Sequence, residues 1–333
     1  MQNSFKTFAT QPSIRQRVKR CLHNIATQKF PTAITAFANF KFPMNASDSL
    51  PRAAANPVVK DVLFVLATYN EIENLPSLVD AILATVPDAD VLIVDDNSPD
   101  GTGEWAQRLS QNDLRVKALI RRDERGLGSA VVAGLRFAVE NGYRRVVNMD
   151  ADFSHPVEVA PRLLARLDGE TAPATSRVDA SQPIALRSVN EHSSQPLEPV
   201  DVVIGSRYVP GGATPDWPLR RRVMSRCVNA YARLTLGLRT KDNSGSYRCY
   251  RVETLRKIDF DAIVSKGYSF FEELLYRLRL VDARFAEIPI VFIDRRFGFS
   301  KINRKEALRA VAIMTRLGVA RLFRTTNRRK RRR

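Results

Sequence analysis

Asp150-Ala-Asp152 places two carboxylates at positions i and i+2, directly after the run Arg145-Val-Val-Asn-Met149. Where a strand unwinds, both side chains can reach one hard cation. Carboxylate and water ligands suit Mg²⁺ or Mn²⁺, and Mg²⁺ takes one or two protein carboxylates together with phosphate oxygens. Asp also ends strands as a turn cap, which is the plainer use of the same residues. Two more polar clusters follow apolar runs: Thr68-Tyr-Asn-Glu71 after Val62–Ala67, and Asp95-Asp96-Asn97 after Val91–Val94. Of the paired aspartates, one is expected to face the base or ribose of a nucleotide and the other to cap the Asn97–Gly101 turn. Arg125-Gly-Leu-Gly-Ser129 opens a helix whose amides suit a phosphate. A tight turn into a helix accounts for the same glycines, and the P-loop and dinucleotide spacings are both missing. No Gly-x-Ser-x-Gly elbow or Cys/His pair suggests nucleophilic catalysis.

These residues need elements to carry them. Val62–Ala67, 91–94 and 145–149 read as short strands buried on both faces. Leu75, Leu78, Val79, Ile82 and Leu83 recur at helical spacing, and helices over 102–111, 128–141 and 156–168 alternate with strands over 115–120 and 201–204. This βαβα order predicts an α/β fold, a mostly parallel open sheet with helices on both faces. Ligands of such sheets sit beyond the carboxyl ends of the strands, so all three polar clusters should open onto one crevice. Further on, Arg220-Arg-Arg222 begins a helix over 219–236, just after Trp217 and Pro218. Residues 304–323 read as an amphipathic helix, with Leu308, Val311, Met314, Val319 and Leu322 on one side and Lys305, Arg309 and Arg316 opposite. It either lies in a membrane interface or packs on the core of its own domain.

The chain has 333 residues, 44% of them apolar, and a formal net charge of +18. That composition fills a core and excludes disorder throughout. No uninterrupted apolar run is long enough for an ordinary transmembrane helix. Three cysteines make no disulfide scaffold and lack zinc-finger spacing, so a reducing, cytoplasmic setting is the default. Met1–Met44 holds seven Lys/Arg and 321–333 holds eight, with no acid in either stretch, which leaves +3 between them. Basic ends suit an anionic surface. Residues 1–57 read as a basic, mostly disordered extension, either transit-like or preceding a true start near Met44. Residues 169–200 read as a disordered insertion within a domain over 58–303, and 304–333 as the amphipathic helix with its polybasic tail, Arg328–Arg333.

Taken in order, the motifs carry a family resemblance. They are Ala67-Thr-Tyr-Asn-Glu71, Asp95–Thr102, Gly126-Leu-Gly-Ser-Ala130, Met149–Pro156, Gly205-Ser-Arg-Tyr208, Trp217 through Arg226, Asp242–Arg248, Ser265–Phe270 and Glu287–Lys301. Over about 60–303 the sequence resembles family 2, GT-A-fold glycosyltransferases, and more closely the dolichyl-phosphate (polyprenyl-phosphate) mannose synthases. The resemblance implies a metal-dependent, inverting transfer of mannose from GDP-mannose to polyprenyl phosphate at the cytoplasmic face of a membrane. It implies that Ala67, Tyr69, Glu71, Val94 and Asp96 line the guanosine pocket. Asp150, Ala151 and Asp152 would meet the donor diphosphate, with Asp150, Asp152 and Ser154 around Mg²⁺ or Mn²⁺. Arg207, Arg221, Ser225 and Arg295 would gather the acceptor phosphate, Arg295 and Lys301 also the donor, with Asp152 and Arg207 as the catalytic residues. The chain departs from the family pattern at Ala67 (usually Pro), Ser154 (often Gln), Ser244 (Thr) and Phe271 (often Gln).

A phosphomonoester is already largely dianionic near pH 7, given a second pKa of about 6, so such an acceptor needs no strong general base. Asp242, Glu272 and Glu273 would matter as catalytic carboxylates only for a hydroxyl acceptor; otherwise they serve a turn and a helix start. The same scaffold with UDP-glucose or another donor is the nearest alternative. Nucleic-acid binding through the basic ends is disfavoured, because no recognition motif is present and the central charge is nearly balanced. The expected partners are therefore the sugar nucleotide, the lipid phosphate and an anionic membrane surface, with subunits unspecified.

Overall fold

The computed structural model describes residues 60–170, 197–294 and 304–330, and within the last helix the side chains of 308–323. The expected N-terminal extension, residues 171–196 of the expected insertion, and 295–303 lie outside the described residues. Strand β1 (Val62–Thr68) sends Val62, Phe64 and Leu66 to one face of the sheet and Leu63 and Val65 to the other, all of them buried. A two-residue period with apolar groups on both faces is what a central parallel strand requires. The chain continues through α1 (Leu75–Thr85), β2 (Ala89–Asp95), α2 (Thr102–Asn112), β3 (Val116–Ile120), α3 (Leu127–Glu140) and β4 (Arg145–Asp150). A 3₁₀ turn (Val157–Val159) then leads into α4 (Ala160–Asp168), where Pro161 sits in the first turn and marks the helix start. This shortens the helix expected from 156.

The second half adds β5 (Val202–Ser206), α5 (Leu219–Leu236), β6 (Arg248–Arg251), α6 (Val252–Leu255), α7 (Phe270–Leu280), β7 (Phe285–Pro289) and α8 (Arg304–Lys330). The seven strands form one sheet in the order β3-β2-β1-β4-β6-β5-β7, and β6 alone runs antiparallel to its neighbours. The fold is thus the mostly parallel α/β sheet that was expected. From β1 the chain winds outward through β2 to β3, then returns to place β4 on the other side of β1. That reversal is the switch point at which open α/β sheets bind ligands. Register sharpens it: Thr68 pairs with Asp95 and Ala67 with Asp150, so three polar strand ends stand side by side.

Helices α1, α2 and α4 close one face of the sheet, and α3, α5, α6, α7 and α8 the other. Helix α8 corrects one expectation. Met314 is buried in the core, with Ala310 and Leu317 packed beside it, while Leu308, Val311, Val319 and Leu322 are exposed. Gly318 lies against the Thr235 backbone of α5, and Tyr231 of α5 shares a hydrogen bond with Thr315. The helix therefore belongs to the same compact unit as the sheet.

Candidate active site

Each of the three strand ends turns through one residue with a left-handed backbone: Asn70 (φ 58°), Asn97 (φ 54°) and Phe153 (φ 60°). Asn tolerates that conformation readily, whereas a bulky Phe does not, so the Asp150–Ser154 turn is held at some cost by its surroundings. The first two turns are tied together. Asp95, fully buried, accepts hydrogen bonds from the Thr68 hydroxyl (2.9 Å), the Ser98 amide (2.8 Å) and the Ser98 hydroxyl (2.5 Å). The Asn70 amide donates to Ser98 Oγ, the Glu71 amide to Thr102 Oγ1 and the Ile72 amide to Asp100. Asp95 is therefore the turn cap, and Asp96 is the member of the pair that reaches the crevice. Both Asp96 oxygens are also braced, Oδ1 by Arg121 (2.7 Å) and Oδ2 by the Gly126 amide (2.7 Å). Gly126 needs its glycine, since it has φ +142° and a Cβ there would meet the Lys266 carbonyl at 2.8 Å.

The crevice holds about 850 Å³ and is lined by Ala67, Tyr69, Glu71, Asp96, Asp150, Ala151 and Asp152. Val94, expected among them, is buried in the sheet and does not line it, because its side chain faces the core on the α3 side. Arg125 lies over the Tyr69 ring at 5.1 Å and donates to its hydroxyl. At the other end, Asp152 Oδ1 accepts the Ser154 amide (3.1 Å). Ser154 is itself buried, and its Oγ has no hydrogen-bond partner among the described residues. His155 Nδ1 accepts the Asp150 amide, and the ring packs against Tyr247 and Phe292. Burial lowers the His155 pKa and keeps the ring neutral. Among the described residues, no group of three or more His, Cys, Asp or Glu is placed to hold a metal, so any cation here relies on the two carboxylates with lesser ligands.

The opposite wall was not anticipated. Lys266, Tyr268 and Ser269, from the loop before α7, and Arg309 and Ile313 of α8 complete the lining. The Ser265–Phe270 motif marked the loop without giving it a role, and Arg309 looked like part of a solvent face.

Of the residues expected at the acceptor phosphate, Arg207, Arg221 and Ser225 do not line this crevice. Arg207 lines a second concavity of about 670 Å³ beside α5, together with Tyr208, Arg226, Asn229, Arg233 and Lys241. Its side chain is nearly buried and paired with Asp242, which is fully buried. Burial would raise the Asp242 pKa, but the Arg207 charge and hydrogen bonds outweigh it, so the carboxylate stays ionised. Ser225 Oγ accepts from the Tyr208 hydroxyl (2.6 Å). Arg221 pairs with Asp294 (2.8 Å) and lies 3.9 Å from the centre of the Trp217 ring. Arg295 and Lys301 lie outside the described residues. Of the remaining carboxylates, Glu273 accepts the Val264 and Ser265 amides and pairs with Arg277. Glu272 is buried, its Oε2 unpartnered among the described residues, and burial pushes its pKa up to about 7.

The family profile of glycosyl transferase family 2 matches residues 64–193. An undecaprenyl-phosphate mannosyltransferase of Micrococcus luteus is 40% identical over 259 residues, which are 78% of this chain and 94% of that one. A polyprenol monophosphomannose synthase of Mycolicibacterium smegmatis is 39% identical over 254 residues, 75% of this chain and 85% of that one. A solved glucosyl-3-phosphoglycerate synthase from Mycobacterium tuberculosis, in complex with Mn²⁺ and UDP, is 17% identical with a TM-score of 0.45, covering 79% of this chain and 78% of its own.

Proposed function

We propose, for a chain that belongs to glycosyl transferase family 2, inverting transfer of mannose from GDP-mannose to polyprenyl phosphate, giving polyprenyl phosphate β-mannose and GDP. The observation that carries this reading is the meeting of three polar strand ends in one crevice. A sugar nucleotide fits it with the base toward Tyr69, Glu71 and Asp96 and the diphosphate toward Asp150–Asp152. The relatives named for mannose transfer to undecaprenyl phosphate and for polyprenol phosphomannose synthesis support the sugar and the acceptor class.

The chemistry asks little of a base. A dianionic phosphate attacks the anomeric carbon directly, and in-line displacement inverts the α linkage. Asp242 and Glu273 are accordingly engaged with Arg207 and Arg277. Asp150 and Asp152 suit Mg²⁺ or Mn²⁺: they are hard oxygen donors on the crevice wall, and Ser154, next in the same turn, has an Oγ without a partner among the described residues. A cation held there would offset the charge of the departing diphosphate. Arg207, Arg221, Ser225 and Arg295 receive the acceptor phosphate, and Arg295 and Lys301 also meet the donor. Lipid access would come from a membrane surface. The outward side of α8, with Leu308, Val311, Val319 and Leu322, and the exposed Leu219, Val223 and Met224 of α5 are apolar and flanked by arginines. No helix of the described residues is long and apolar enough to cross a bilayer.

The test is purified protein with a short polyprenyl phosphate and a panel of sugar nucleotides. Mannose from GDP-mannose should appear as a β-linked lipid phosphate, and a chelator should stop the reaction. Preference for UDP-glucose or another donor, or an α-linked product, would overturn the assignment.

A further inference from the structure

Arg207 carries a long side chain that could sample many rotamers, yet it is fixed on three sides. Its Nε and Nη2 donate to Asp242 Oδ2 (2.7 Å) and Oδ1 (2.6 Å), the side-on fork that sets the plane of a guanidinium. Nη2 also donates to Ser244 Oγ (3.0 Å). The Tyr208, Trp217 and Phe292 rings stand 5.3–5.6 Å from the guanidinium carbon. Asp242 is anchored in turn. It accepts the Arg207 and Gly245 amides, and its own amide donates to Glu287 of β7. Ser244 is held by Asn229 of α5. Among the described residues only the Nη1 edge of Arg207 has no hydrogen-bond partner, and in a side-on fork that edge points away from the carboxylate.

We propose that Asp242, seconded by Ser244, is a positioning residue for transfer: it aims the Nη1 edge of Arg207 at the acceptor phosphate. The inference rests on the reading above that Arg207 meets that phosphate. A buried Asp–Arg pair is close to neutral overall, so Arg207 contributes direction more than net charge. The broader attraction falls to the other cations that line the concavity, Arg226, Arg233 and Lys241. A carboxamide at 242 cannot reproduce the fork, because its NH₂ would face an arginine N–H.

The test measures steady-state kinetics of Asp242→Asn, Ser244→Ala, Arg207→Ala and the double variant Arg207→Ala/Asp242→Asn in the full chain. Asp242→Asn should raise the acceptor KM about tenfold or more while the donor KM stays within about twofold. The double variant should be no worse than Arg207→Ala alone, the signature of two groups acting as one. Ser244→Ala should move the acceptor KM the same way by about threefold, and it decides the matter if Asp242→Asn does not fold. Additive losses, or an unchanged acceptor KM in both Asp242→Asn and Ser244→Ala, would overturn the positioning role. An unchanged acceptor KM in Arg207→Ala would instead overturn the acceptor assignment beneath it.

Discussion

A carboxyl group with almost no water around it holds its proton late. Glu272 is 4% exposed, and burial lifts its pKa from 4.5 to about 7. Between those values the folded chain keeps a proton that the unfolded chain has released, so stability falls as pH rises. The contribution is fully present below about pH 4.5 and is lost as pH passes through 7. The shift corresponds to at most about 3 kcal/mol. Glu272→Gln keeps the shape and removes the titration. Relative to the parent chain it should therefore gain stability from pH 5 to pH 8, by about 1–3 kcal/mol in urea unfolding. Parallel pH profiles for the two proteins would refute this. The same scale shows how local signals divide neighbours. Asp95 and Asp96 are adjacent and chemically identical, yet one is sealed beneath Thr68 and Ser98 while the other reaches the crevice. Spacing alone raised both roles without saying which residue takes which, because that depends on the pleat; only the family resemblance singled out Asp96.

At the scale of elements, close approach decides stability. A Cβ on Gly134 of α3 would stand 2.3 Å from Val65 Cγ1 in β1. Ala would favour the helix by about 1 kcal/mol, but overpacking against the central strand costs about 1–3 kcal/mol. Gly134→Ala should therefore destabilise on balance, and Val65→Ala in the same chain should recover part of the loss. Simple additivity in chemical denaturation would reject the contact as the cause. Strands β1, β2 and β4 were legible because their apolar runs fill both faces of a sheet. Strand β6 was not, since Arg-Cys-Tyr-Arg has no apolar period and is a strand only through its antiparallel pairing with β4 and β5. The site divides in the same way. Residues on strand ends announced themselves through spacing. Lys266, Tyr268 and Arg309 reach the crevice only after loop 264–269 and α8 fold across it, a long-range event without a local signature.

For the whole molecule, the question is how the lipid phosphate proposed as acceptor would be reached from a membrane surface. Helix α8 has two opposed roles. Its inner face enters the core through Met314 and the crevice wall through Arg309 and Ile313, and its outer face is apolar and exposed. Deleting the whole helix would therefore damage the crevice and say nothing about the membrane. Two gentler changes separate the forces. Removing residues 328–333 takes away six basic side chains, each contributing about 1 kcal/mol at most near an anionic surface. Replacing Val319 and Leu322 with Ser removes apolar area of about 1.5–3 kcal/mol per side chain when fully buried. The first variant should bind anionic vesicles more weakly, with most of the salt dependence gone. The second should bind more weakly at every salt concentration, with the salt dependence kept. Both should still glycosylate a short, water-soluble acceptor: Val319 and Leu322 are not among the crevice-lining residues, and the basic run is proposed to act on lipid alone. Sedimentation with vesicles of anionic and neutral lipid reads the binding, and a transfer assay with the soluble acceptor reads the crevice. If both variants sediment like the parent chain, the α8 face and the basic run are not its membrane contact. If either loses activity on the soluble acceptor, the outer face is coupled to the crevice and the division of roles along α8 fails.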